Sequence, residues 1–245
     1  MLKMLETLHR MFARHGLARA LYALGLKWIN SAFVLRILRG VYVVAPDASF
    51  IEHPDAYEAE FLSTQKLREY AQQPNTQISD AFLDKALARG DQCYAIRDGE
   101  TLAAYGWYSS GRTPVGIGDL VLTFDPRYVY MYKGFTDTRY RGQRLHAIGM
   151  TRALRHYRNS GYRGIVSYVE AQNFDSLKSC FRMGYSVFGS IYVIRVFGKY
   201  FAFSSAGCWR FEFRLRHAEP DPAALRFGKN YPYCAAIGNS ACSHG

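Results

Sequence analysis

The stretch 136-TDTRYRGQRLHAIGM-150 decides how this chain is read. An aromatic and β-branched run, Val129–Thr136, stops at Asp137, and a helical apolar spacing runs from Gly142 to Ser160. The first pattern predicts a strand and the second a helix. Between them stand Arg139, Tyr140, Arg141, Gly142, Gln143 and Arg144. A turn that opens a helix leaves backbone N–H groups unpaired, and their partial positive charge beside three arginines suits a pyrophosphate. Gly142 lets the backbone approach such a group closely. Alone, Arg-x-x-Gly before a helix arises by chance in many basic proteins.

Downstream, a strand at Ile165–Glu170 leads into Asn173-Phe174-Asp175-Ser176, a helix over Phe174–Met183, then Gly184-Tyr185 and a strand at Val187–Val196. Ala202–Leu215 reads as a closing strand. Upstream, Cys93–Arg97 and Leu102–Tyr108 flank Asp98-Gly99 as a hairpin. Tyr57–Gly90 reads as mainly helical, with a polar break at Asn75–Ser79 and Ser79 or Asp80 as N-cap. Val41–Ala45 reads as a short strand ended by Pro46, and residues 1–39 as two or three short helices. There Met1, Leu5, Leu8 and Phe12 share one face opposite Lys3, Arg10 and Arg14, and Leu17, Leu21, Leu24 and Trp28 repeat the spacing. This order predicts a mixed α/β sheet. The chain divides into a basic helical extension (1–45), an α/β domain (46–216) and a loosely packed tail (217–245).

The two turn-and-helix segments together resemble the signatures of the GNAT superfamily of acyl-CoA-dependent N-acyltransferases. These are the pyrophosphate loop [RQ]xxGx[GA] and a later N-x-x-[AS] helix that closes in Gly-Phe or Gly-Tyr. Arg139, Gly142, Asn173, Ser176, Gly184 and Tyr185 fall at the matching positions. The resemblance covers roughly residues 90–200, and Tyr105-Gly106-Trp107 is similar to members in sugar and polysaccharide pathways. It implies a GNAT-like, mostly antiparallel central sheet flanked by helices, here with an N-terminal helical extension. It also implies acetyl-CoA or another acyl-CoA as co-substrate, held by the loop with Asn173 and Ser176, and no metal. An amine would attack the thioester directly, through a tetrahedral intermediate whose oxyanion meets a backbone N–H of Gly134, Phe135 or Thr136. Arg144 and His146 depart from the family, which places small residues there. Cys180 stands where a Tyr commonly protonates the leaving thiolate; an ordinary thiol, with a pKa near 8.5, either donates in its place or is inert packing.

Such a reaction needs a base for an ammonium substrate. Glu170 ends its strand where the two central strands would part, and reads either as that base or as a capping or salt-bridge carboxylate near Arg182. Asp137 is the second candidate base, or a brace for Arg139 or Arg141, and Tyr132 and Tyr168 line either an acceptor cleft or the core.

Composition sets the bounds. The 245 residues are 49% hydrophobic and 16% aromatic, which excludes a disordered chain. Lys and Arg outnumber Asp and Glu by 31 to 20, and 23 of the cations are Arg. Seven cations against Glu6 alone fall in residues 1–45. That excess points to an anionic partner, either a phosphorylated ligand, an anionic membrane surface met by residues 1–39, or nucleic acid; no nucleic-acid reading motif accompanies it. Five cysteines without a CxxC or zinc spacing argue against a metal site and for a reducing, cytoplasmic setting. The opening lacks a secretory cleavage pattern, and no run reaches the length of a membrane span. Three functions stay open: transfer to a small-molecule or sugar amine, a peripheral membrane enzyme using a long-chain acyl-CoA or acyl-carrier protein, and a CoA-binding module without turnover.

Overall fold

Local patterns account for most elements of the computed structural model, which describes residues 16–32, 34–50 and 57–218. The described residues begin with α1 (Leu17–Ala32) and β1 (Val34–Val43), then a 3-10 turn at Ala48–Phe50 and β2 (Glu58–Phe61). Helices α2 (Thr64–Ala71) and α3 (Asp80–Ala88) follow, each opened by a serine, Ser63 or Ser79, that accepts a first-turn N–H. The hairpin is β3 (Gln92–Asp98) and β4 (Thr101–Ser109), closed at Gly99 with φ 55°. Then come β5 (Thr113–Pro114), β6 (Leu120–Thr123), β7 (Tyr128–Thr136), α4 (Leu145–Asn159), β8 (Gly164–Glu170) and α5 (Phe174–Arg182). The described chain closes with β9 (Ser186–Val196), β10 (Lys199–Ser204), α6 (Ala206–Trp209) and β11 (Arg214–His217).

Eight strands form one sheet in the order β10-β9-β1-β8-β7-β4-β3-β2, antiparallel everywhere except between β7 and β8. A small sheet, β11-β6-β5, lies beside it. On one face Met150 and Leu154 of α4 pack with Val41, Val129, Met131 and Ile165. On the other, Leu120, Leu122 and Phe213 pack with Leu38, Tyr130, Val166 and Ile191. The centre of the sheet is therefore buried on both sides, as a parallel pair requires.

Three sequence readings are corrected. Residues 34–39 are extended rather than helical: β1 runs unbroken into the predicted short strand and lies between β8 and β9, pairing Leu38 with Glu170 and with Ile191. Arg36 and Arg39 mimic the spacing of a helical polar face, but partners far along the chain decide the matter. Residues 58–61, read as helical, form β2, where Glu58 and Glu60 meet Arg97 of β3. The run 202–215 is broken by α6, so that β10 ends the large sheet and β11 enters the small one. The amphipathic segment 1–15 and the tail 219–245 lie outside the described residues. Among those described, no helix is long and apolar enough to cross a membrane.

Candidate active site

The site originates where β7 and β8 part. Their ladder holds only from Tyr128/Gly164 to Tyr130/Val166, although both strands continue. Just beyond, β7 carries a bulge: Trp107 pairs with Lys133 and Tyr108 with Met131, so that Tyr132 is extra. A bulge bends and twists its strand, which turns β7 away from β8. At the vertex the Ser167 hydroxyl donates to the Met131 carbonyl at 2.7 Å. The Asp137 N–H donates to Ala103 of β4 at 2.9 Å. By strand alternation Phe135 also faces β4, while the N–H groups of Gly134 and Thr136 face the opening. The Phe135 ring stacks on Tyr105 at 5.1 Å, away from the gap. The gap is a cavity of about 380 Å³, bordered by Tyr132, Gly134, His146, Glu170, Cys180 and Tyr185 among others.

The arginine-rich turn lies at the entrance to α4. Asp137 accepts the Arg139 N–H at 2.9 Å and pairs with its guanidinium at 3.0 Å, which holds the Asp137 carboxyl below its usual range. Asp137 thus braces Arg139. The Tyr140 hydroxyl donates to Asp98 at 2.8 Å, and Gln143 accepts from the Tyr57 hydroxyl at 2.5 Å. Gly142 has φ 85° with open space where a side chain would stand, and Arg141 is exposed. Arg144 is the N-cap of α4, with φ 60° and no side-chain capping bond, and no acid lies in the first turn. The helix therefore starts at Leu145, three residues later than its apolar spacing suggests. The Ile148 N–H bonds to the Arg144 carbonyl, so the three preceding N–H groups are the unpaired helix end. A second cavity of about 560 Å³ borders Arg144, Arg182 and Phe50, and shares His146, Ser179 and Met183 with the cleft.

Asn173 caps α5 by accepting the Ser176 N–H at 3.1 Å, and both residues border the cleft. Glu170 ends β8 at the cleft mouth and pairs with Arg36 of β1 at 3.5 Å while accepting from Gln172 at 2.7 Å. Its cationic partner is therefore Arg36 and not Arg182, because β1 occupies the neighbouring place in the sheet. Burial pushes the Cys180 thiol up to about 11, so it is protonated at neutral pH. The Tyr132 hydroxyl donates to buried Asp91 at 2.9 Å, and the Tyr168 ring stacks on Tyr130 at 6.2 Å; both tyrosines border the cleft.

Two further groups emerge only in three dimensions. His146 lies against Gly134, and burial lowers its pKa to about 4, so the imidazole is neutral. The Tyr185 hydroxyl is buried at the cleft with no hydrogen-bond partner among the described residues. In the sequence, His146 is only a departure from a small residue, and Tyr185 only an aromatic that closes a helix. Among the described residues no group of three or more His, Cys, Asp or Glu side chains is placed to hold a metal ion.

The sequence profile of the acetyltransferase (GNAT) family matches residues 55–185. No curated protein matches. Among solved structures the chain is similar to a GCN5-related N-acetyltransferase-like protein from Streptococcus suis, with 10% identity, TM-score 0.46, and 69% of this chain covering 66% of that one. It is also similar to a GCN5-related N-acetyltransferase from Sphaerobacter thermophilus, with 12% identity, TM-score 0.45, and 74% of this chain covering 56% of that one. A third is an aminoglycoside acetyltransferase from an uncultured soil metagenomic sample, with 13% identity, TM-score 0.41, and 54% of this chain covering 90% of that one. The chain thus spans just under two thirds, or less, of the first two.

Proposed function

Because this chain belongs to the acetyltransferase (GNAT) family, we propose that it transfers an acyl group, acetyl in the first instance, from acyl-CoA to a small amine. One observation carries the reading: the uncapped, arginine-flanked start of α4 and the gap between β7 and β8 are joined through two cavities that share His146. The residues fit the co-substrate. Unpaired N–H groups and the cations Arg141 and Arg144, with Arg139 steadied by Asp137, suit a diphosphate, and Gly142 leaves its backbone open to approach.

When bound, acyl-CoA supplies an activated thioester. The N–H groups of Gly134 and Thr136 then face the place where negative charge develops on its carbonyl oxygen, and fixed donors of this kind are worth most during the reaction. Glu170, partly open to solvent at the mouth, takes the amine proton directly or through water. Cys180 stays protonated at neutral pH. Full transfer from a thiol near 11 to a thiolate near 8.5 is uphill by about 3 kcal/mol, so Cys180 lends the departing sulfur a hydrogen bond while solvent supplies the proton.

The test is release of free CoA thiol from acetyl-CoA with a panel of small amines and amino sugars, with product mass as confirmation. The expected result is amine-dependent release and an acetylated amine. Tight CoA binding without release for any amine would overturn the catalytic reading in favour of a binding module.

A further inference from the structure

The small sheet carries a cavity of its own, about 610 Å³, bordered by Arg112, Thr123, Trp209, Glu212, Arg214 and Arg216. Its construction follows from strand alternation. Phe213 and Leu215 are buried, so Arg214 and Arg216 project together to the outer face of β11. The preceding turn is firmly tied: the Cys208 carbonyl accepts the N–H groups of Phe211 at 3.1 Å and Phe213 at 3.0 Å, and the Phe211 carbonyl accepts that of Asp125 at 2.8 Å. Buried Cys208, Phe211 and Phe213 anchor this turn while Trp209 remains 61% exposed. Glu212 adopts φ 50°, a conformation costly for a side-chain-bearing residue. Among the described residues Arg214 and Arg216 make no ion pair. An exposed indole, two guanidinium groups without an ion pair among the described residues, and a carboxylate carried on a strained backbone surround one hollow.

We propose that this hollow binds an anionic saccharide, a sugar bearing a carboxylate or phosphate. The indole face suits the C–H face of a sugar ring. Arg214 and Arg216 offer planar donors that match a carboxylate or phosphate. Glu212 accepts from ring hydroxyls, and the Thr123 hydroxyl, which donates to the Arg214 carbonyl at 3.3 Å, keeps its lone pairs for another. A polynucleotide fits less well, since a run of phosphates would meet the Glu212 carboxylate. The volume lies within the range of small-ligand pockets.

The test uses the full chain and its tryptophan fluorescence, titrated to about 10 mM, the millimolar affinity range, with glucuronate, glucose 6-phosphate, glucose, inorganic phosphate and AMP. Of the three tryptophans Trp28 lies in α1, Trp107 is buried and Trp209 borders the hollow, so the Trp209→Phe variant assigns the signal. We expect a saturable change with glucuronate or glucose 6-phosphate, at least about tenfold weaker binding in Arg214→Ala/Arg216→Ala by calorimetry, and no response to glucose. Trp209→Phe should abolish the optical change. Glucuronate alone would identify a sugar acid as the ligand, and glucose 6-phosphate alone a sugar phosphate. The inference fails if neither glucuronate nor glucose 6-phosphate saturates, if the double variant binds as well as the parent, or if phosphate or AMP binds as tightly as these sugars. A preserved melting-temperature shift with CoA in the double variant keeps this result separate from the acyl-transfer reading.

Discussion

Gly134→Ala probes the wall between strand β7 and helix α4. A Cβ built there meets His146 Cε1 at 2.4 Å, with His146 Nε2 and the Met131 methyl each at 3.0 Å. Carbon pairs rest at about 3.5–4.0 Å, so more than an ångström of overlap must be relieved. The backbone at Gly134 is ordinary strand, so space and not conformation is at issue. The ring must turn into one of the two cavities it borders or press against the core, and overpacking of this kind costs about 1–3 kcal/mol. At about 2–4 °C per kcal/mol for a domain of this size, Tm should fall by roughly 2–12 °C. His146→Ala removes the obstacle. Thermal melts of the single variants and of Gly134→Ala/His146→Ala form a cycle whose coupling should exceed about 0.5 kcal/mol and restore most of the loss caused by Gly134→Ala. A Gly134→Ala protein that melts with the parent, or a double variant no better than the sum of the singles, would refute the packing.

Three further outcomes follow from the same cleft. Glu170→Gln should lower turnover by about 10²–10⁴-fold with CoA affinity unchanged, read from initial rates and calorimetry; normal rates across pH would move the base elsewhere. Tyr185→Phe removes a buried, unpaired hydroxyl, so the protein should be as stable as the parent or up to about 1–3 kcal/mol more stable, yet slower in acyl transfer if that hydroxyl meets bound substrate. His146 is held near 4 when folded against an ordinary 6.5, so between these values the unfolded chain binds the extra proton. Its contribution leaves stability unchanged above about pH 6.5 and lowers it as pH falls toward 4, by at most about 3 kcal/mol, and urea melts of His146→Ala should lack that part of the slope.

Much of the site was legible because it is local in sequence. The strand, arginine-rich turn and helix at 129–160, the Asn173 cap and the hairpin at Gly99 are each set by neighbours a few residues apart. What escaped depends on distant partners. Strand β1 carries arginines spaced as on a helix, and only pairing with β8 and β9 shows it to be extended. The same strand brings Arg36 to Glu170, which no spacing rule foresees. Arg144 looked like an intrusion where the family places Gly or Ala, and in the structure it is the N-cap of α4 with a left-handed backbone, a feature that no spacing rule foresees. The neutral state of His146 and the orphan hydroxyl of Tyr185 are consequences of burial, and burial is written nowhere in the local pattern.

The most direct measurement is a titration of the full chain with CoA, by calorimetry and by melting temperature, beside Gly142→Asp. That variant sets a side chain and a negative charge in open space before the α4 N-terminus, where the diphosphate would lie. Saturating CoA at about 100 times its Kd should stabilise the parent by about 2.7 kcal/mol, and the variant should show no shift while remaining folded. A parent that ignores CoA, or a Gly142→Asp protein that binds it undiminished, would contradict the placement of the diphosphate at this turn and the acyl-transfer function built upon it.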